Sequence, residues 1–366
     1  MRDGARRIAA VSDTIEGLPF VLPDRPAVRR IRQVERPVAP PAARTQPMAG
    51  FEDRFTDIVD YIVRITDEIW QDHAVGYIRD TYDADSVVYS GYGVVRTAEA
   101  VVRSTIASIA AAPDGDTRHI NVAWSGDETE NFYTAHLGYG GSTHVTPGLY
   151  GPATGRRYTM RFAADCLIRA NKIHTEWLVR DAGSSVRQLG LDLDEVARAV
   201  ATIVPAEPYV VGPAVPGATA VPASAAGNSV EAWARGLFER VWSERRFDRL
   251  SHYYAPGIAA HSGGGRSVQG LPALSVLFLQ ILASIPDGTM SVEHVSWAEE
   301  TDGVIVAVRW VLAGSSARGG VLGYQLPEGR PVFMMGSTHL RLTGSHIVEE
   351  WTVFDEIATM AMAYRE

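Results

Sequence analysis

The chain has 366 residues, with 46% hydrophobic and 21% charged residues and a formal net charge of −9, the composition of a soluble protein of about two domains. An acidic balance argues against a nucleic-acid partner, because phosphate binding needs a basic face. A single cysteine, Cys166, excludes an intrachain disulfide and a multi-cysteine metal site and reads as a small core residue; no run of 18 apolar residues suggests a membrane span, and a cytoplasmic protein is expected.

Residues 1–50 hold nine arginines and seven prolines without an apolar period. They read as a flexible extension, dispensable for folding. From Phe51 the pattern becomes regular. Phe55, Ile58, Ile62, Ile65 and Ile69 mark one helical face ending at Trp70. A short helix over 73–81 follows, then a strand through 87–89 and a helix over 97–111. After Pro113-Asp114-Gly115 the apolar period switches to two. Strands are expected at 117–125, 130–140, 156–169 and 172–181, with a closing helix over 192–202. Residues 203–227, rich in Pro, Ala, Val and Gly, read as a spacer. The order then repeats: helices at 229–244 and 246–254, a strand at 257–261 and a helix at 270–284. Strands at 289–298, 303–313, 331–342 and 346–354 precede a last helix over 356–364.

The repetition is written in the residues. Ile173 to Asp181 matches Ile347 to Asp355 at five of nine positions. Trp70 answers to Trp242, Pro113-Asp114-Gly115 to Pro286-Asp287-Gly288, and Trp124 to Trp297, at offsets of 172 to 174 residues. That period is far too long for a solenoid. It indicates a tandem duplication, with a first domain at 51–202 and a second at 228–366. Helices followed by an antiparallel meander give an α+β class: two tandem cone-shaped domains, each a curved sheet with helices on its concave face and a cavity suited to a hydrophobic small molecule.

Each half resembles the SnoaL-like polyketide cyclases of the nuclear transport factor 2-like superfamily. The likeness rests on the helices bearing Trp70 and Trp242, the Pro-Asp-Gly turn, and the last strand, Ile-x-x-Glu-Trp-x-x-x-Asp. The resemblance implies acid–base chemistry without a cofactor on a hydrophobic carbonyl compound (cyclisation, isomerisation, dehydration or retro-aldol cleavage). Hydrolysis of an epoxide or ester, and a non-catalytic small-molecule-binding or assembly module, are the alternatives. The resemblance further implies pairing of the domains as an intramolecular pseudo-dimer, or a homodimer of whole chains. It also implies a catalytic aspartate directly after the last-strand tryptophan. Here Leu178 and Thr352 stand at that position.

The candidate catalytic residues therefore come from the strands themselves. His174 and Glu176 share the face on which the resemblance places the cavity. His136 and Asp165 lie on the two preceding strands, where they could converge with Glu176. A buried carboxylate has a raised pKa and a histidine titrates near neutrality, as proton transfer requires. Asp181 and Asp355 end the last strands, where helix capping competes with catalysis. Tyr82, Tyr89, Asn121, Trp124, Tyr133, Trp177 and His339 are the candidate substrate contacts. His119, His136 and His174 lack the close spacing of metal ligands, and neither glycine-rich stretch opens a helix after a strand. No metal or nucleotide is expected. The first half is richer in such groups, so activity is expected there.

Overall fold

The computed structural model describes residues 16–31, 43–203, 205, 207–211 and 229–365. Helix α1 (Ile58–Trp70) is capped by Asp57, whose carboxylate accepts from the Asp60 amide. A 3-10 turn leads into α2 (Ile78–Thr81), and a hairpin of β1 (Tyr82–Ser90) and β2 (Gly93–Arg96) follows. Then come α3 (Ala98–Ala111), β3 (Asp116–Gly126), β4 (Phe132–Thr143), β5 (Arg157–Arg169), β6 (Lys172–Arg180), α4 (Ala182–Gln188) and α5 (Leu193–Ala201). The later elements are α6 (Val230–Phe238), β7 (Tyr254–Ser262), β8 (Arg266–Gln269), α7 (Leu271–Ser284), β9 (Thr289–Glu299), β10 (Val304–Ser315), β11 (Pro331–Thr343), β12 (His346–Phe354) and α8 (Glu356–Tyr364). Beyond the expected elements, the structure adds the short strands β2 and β8 and the helix α4. No described helix is long and apolar enough to cross a membrane.

The strands form one sheet in the order β2-β1-β6-β5-β4-β3-β9-β10-β11-β12-β7-β8. Residues 82–180 and 254–354 contribute the same strand order in mirror sequence, joined by a single pairing of Trp124 with Trp297. All neighbours are antiparallel except β1 with β6 and β7 with β12. In the first half α1 and α3 cover one sheet face, with Ile62, Ile65, Val101 and Val102 buried against Val122 and Cys166. In the second half the matching layer is a larger apolar core holding Trp242, Phe278, Trp310 and Leu340.

The opposite faces of the two halves meet. Ala135, Leu137, Trp177 and Val179 pack with Ile305, Ala307, Met335, Trp351 and Val353 in a shared cluster, while α5 and α8 pack on each other through Val196, Val200, Ile357 and Ala361.

Residues 16–31 and 43–50 of the expected flexible extension make defined contacts with the body. Phe20, Ile31 and Met48 are buried. Arg25 lies between the indoles of Trp124 and Trp297 and donates to both backbone carbonyls, at 2.9 and 2.7 Å. Scattered apolar residues with no period can still fill separate surface sites, which periodicity does not reveal. The spacer is corrected at its start: Tyr209 is buried in the shared cluster and donates to Glu293 at 3.1 Å, and the Val94 amide donates to the Glu207 carbonyl. Residues 1–15, 32–42 and 212–228 lie outside the described residues.

Candidate active site

Between α1, α3 and the sheet of the first half, and extending to β11, α8, Val200, Ile203 and Pro205, lies a cavity of about 420 Å³, lined mainly by apolar side chains including Ile62, Ile65, Ile69, Val101, Phe162 and Leu178. That volume suits a small organic molecule. The polar side chains that line it from the strands are Tyr82, Ser90, Thr117, His136, Glu176 and Arg180, of which Tyr82, His136 and Glu176 lie among its buried apolar walls.

Pairing register explains this selection. Thr134, Cys166 and Glu176 form one row across β4, β5 and β6, and His136, Ala164 and Leu178 form the next row on the same face. The intervening row, Ala135, Asp165 and Trp177, points to the opposite face. His136 and Glu176 thus sit two strands apart, roughly 10 Å across the cavity at the usual strand spacing.

Glu176 accepts from the Tyr82 hydroxyl at 2.9 Å. Burial raises its pKa above the ordinary carboxyl value, against the opposing Tyr82 hydrogen bond and the Arg180 charge. Burial and the neighbouring carboxylate push the Tyr82 phenol well up. Cys166 also lines the cavity, and burial raises its thiol, so it is no ready nucleophile.

His136 belongs to a chain of buried groups. Its Nε2 lies 2.9 Å from Nδ1 of His119, whose own Nε2 lies 2.9 Å from Asp67 Oδ1. Burial, then the neighbouring His119 and His339, pull the His136 pKa well below the ordinary value, so the ring is neutral near pH 7. Strict alternation along β3 would put His119 and Asn121 on one face. A bulge between them in β3 instead turns His119 toward the cavity side and Asn121 away. Asp67 was missed, because inside an apolar helical stripe it reads as a solvated polar position.

The remaining candidates are corrected. Asp165 is fully buried on the seam between the halves, with Arg309 Nη1 at 3.6 Å and the Tyr133 hydroxyl at 3.4 Å. Tyr133 accepts from Arg309 and stacks on His294. Trp177 lies under the Arg309 guanidinium at 3.7 Å and stacks on Tyr89. Asn121 Oδ1 accepts from His339 Nδ1 at 2.6 Å, across the seam. Asp165, Asn121, Tyr133, Trp177 and His339 thus make contacts between the halves, Tyr89 packs on the same cluster, and none of the six lines the cavity. The alternation of a strand was read correctly, but both faces are buried, and burial by a neighbouring half is invisible in the period.

Trp124 is on the cavity side of the sheet but is covered by Arg25. His174 shares the Glu176 face yet lies at its open end, 40% exposed, 3.7 Å from Asp83; it joins neither Glu176 nor the other histidines. Asp181 caps α4 by accepting from the Ser184 amide and also accepts from the Gly264 and Gly265 amides of the second half. Asp355 caps α8 through the Ala358 amide and reaches the rim of the first-half cavity. Burial raises its pKa to about 7.

The second half repeats one part of this site. Tyr254 donates to Glu350 at 2.9 Å, as Tyr82 does to Glu176. Glu350 is further held by the Thr352 hydroxyl at 2.8 Å. The space beside it is filled by Trp310, whose indole N–H donates to Thr338 at 2.9 Å. The positions equivalent to Asp67, His119 and His136 are Glu239, Val292 and Val308.

The family model for SnoaL-like polyketide cyclases matches residues 232–362. Those residues belong to the SnoaL-like family. Among solved structures, the chain is similar to IdmH from Streptomyces antibioticus (20% identity, 36% of this chain and 98% of that one, TM-score 0.32). It is similar to TsrD from Streptomyces laurentii (16% identity, 37% and 97%, TM-score 0.32). A SnoaL-like polyketide cyclase from Agrobacterium tumefaciens also matches (18% identity, 35% and 92%, TM-score 0.28). No curated protein matches the sequence.

Proposed function

We propose that the chain is a tandem pair of SnoaL-like domains, 51–202 and 228–366, packed as an intramolecular pseudo-dimer. In this reading the first domain is a cofactor-independent acid–base enzyme for a hydrophobic carbonyl compound, and the second has lost its cavity to Trp310. The observation that supports this most directly is the pairing of a neutral histidine, His136, with a carboxyl of raised pKa, Glu176, across one apolar cavity.

In the proposed reaction His136 takes a proton from the carbon next to the substrate carbonyl. The C–H electron pair moves into the new carbon–carbon double bond, and the carbonyl oxygen becomes an enolate. Protonated Glu176, supported by Tyr82, donates to that oxygen. Return of the proton from His136 at another atom gives isomerisation. Attack of the enolate carbon on a second carbonyl, whose oxygen takes that proton, gives cyclisation. Departure of a β-hydroxyl that takes the proton and leaves as water gives dehydration. A low-dielectric site strengthens the donor's effect on the developing charge.

The test does not need the natural substrate. The hydrophobic bicyclic ketone 2-tetralone is incubated with the protein in deuterated buffer, and loss of its α-proton signals is followed by NMR. Exchange faster than in buffer, abolished in His136→Ala, supports the reading. Binding of hydrophobic ketones without any acceleration of exchange would make the cavity a binding site and overturn it.

A further inference from the structure

We infer that Asp67 and His119 are positioning residues: they fix His136 in the tautomer that carries its proton on Nε2 and offers the Nδ1 lone pair as the base. This rests on the acid–base reading of the cavity.

The direction of the chain follows from what each atom can do. Asp67 lies on α1, is buried, and also accepts at Oδ1 from the Gln71 amide at 2.5 Å. A carboxylate holding these donors only accepts, so His119 must donate to it from Nε2. With one proton on His119, at Nε2, its Nδ1 offers a lone pair and the His136 nitrogen 2.9 Å away donates to it; a second proton on His119 would reverse this bond and the His136 tautomer. His136 is left with hydrogen on Nε2 and a lone pair on Nδ1. As His136 takes up a proton, its bond to His119 and the bond of His119 to the Asp67 carboxylate favour the added charge.

The chain is also confined to the first half. All three positions are changed in the second half, to Glu239, Val292 and Val308, whereas the Tyr–Glu pair is kept in both. Packing alone does not require a buried Asp–His–His row, since the second half packs with two valines at the histidine positions.

The experiment is 15N NMR of histidine-labelled full-length protein near pH 7, with His136→Ala used for assignment. The expected result is an unprotonated Nδ1 and a protonated Nε2 on His136. A proton on Nδ1 of His136 in the unmodified protein would overturn the inference, because the chain would then run in the opposite direction. In Asp67→Asn the side-chain amide can donate to His119 Nε2, so His136 should switch tautomer although Asp67 does not touch it. The exchange rate should fall on the order of 10²–10⁴-fold, as for a catalytic histidine held in the wrong tautomer. An unchanged tautomer and rate in that variant would also overturn it. The expected tautomer without any exchange of 2-tetralone would leave the positioning chain standing and remove the acid–base reading.

Discussion

Trp310 lies so close across Gly336 that a β-carbon on the glycine would fall 2.1 Å from the indole. In the first half the glycine and the aromatic ring are exchanged: a β-carbon on Gly138 would meet Phe162 at 2.6 Å. The ring thus comes from β5 in the first half and from β10, the counterpart of β4, in the second. Gly336→Ala should destabilise the protein by about 1–3 kcal/mol through overpacking. Trp310→Ala should cost about 3–5 kcal/mol and open a pocket beside Glu350. Urea denaturation of the single and double variants checks both, and the double variant should lose less than the sum of the singles.

Glu176→Gln and His136→Ala should each slow ketone exchange by about 10²–10⁴-fold. The pH profile should follow the two shifts. Neutral His136 is needed, and its lowered pKa puts the acid limb below pH 6.5. Protonated Glu176 is needed, and its raised pKa puts the alkaline limb above pH 4.5. A profile unmoved by Glu176→Gln would remove that residue from the proton-transfer step.

Asp165→Asn should do the reverse. It weakens the seam, where Arg309 keeps Glu293 at 2.9 Å, so a loss of about 1.5–3 kcal/mol is expected. Exchange per folded molecule should be unchanged. A drop in exchange at full folding would return Asp165 to the active site.

Arg25 ties both halves to the N-terminal segment through two carbonyls and two indoles. Arg25→Ala should lose about 2–4 kcal/mol of stability, after allowing for the desolvation that lowers the arginine pKa to about 9. Deletion of residues 1–31 should lower Tm at least as far. A deletion with unchanged Tm would show the segment to be dispensable after all.

Asp355 gives a stability signal with a definite sign. Its folded pKa of about 7 is raised above the ordinary 3.8, so the folded state binds the proton more tightly. The resulting stabilisation is full below about pH 4 and is lost as pH rises through 7, on the order of 4 kcal/mol in all. Asn caps a helix as well as Asp. Asp355→Asn should therefore gain stability relative to the parent between pH 5 and 8, as read from denaturation midpoints at each pH.

Sequence alone determined the α+β class, the repeated order of elements and the position of nearly every long strand. These depend on period and turn chemistry, which are local. It also fixed which residues share a face within one strand, as His174 does with Glu176, because alternation along a strand follows once the strand is known. The register that puts His136 with Glu176 and Asp165 on the other face came from the tertiary structure. Which face looked into a cavity was decided only by the tertiary structure: the outer face of each half is buried by the other half, so polar residues such as Asp165, Asn121 and His339 became seam contacts. The bulge in β3 that turns His119 toward His136, and the reach of Asp67 from α1 to His119, also arise from packing between elements far apart in sequence. The distinction between an open cavity and a filled one depended on where a single large ring is placed. That is a matter of volume, and hydrophobic pattern carries no record of it.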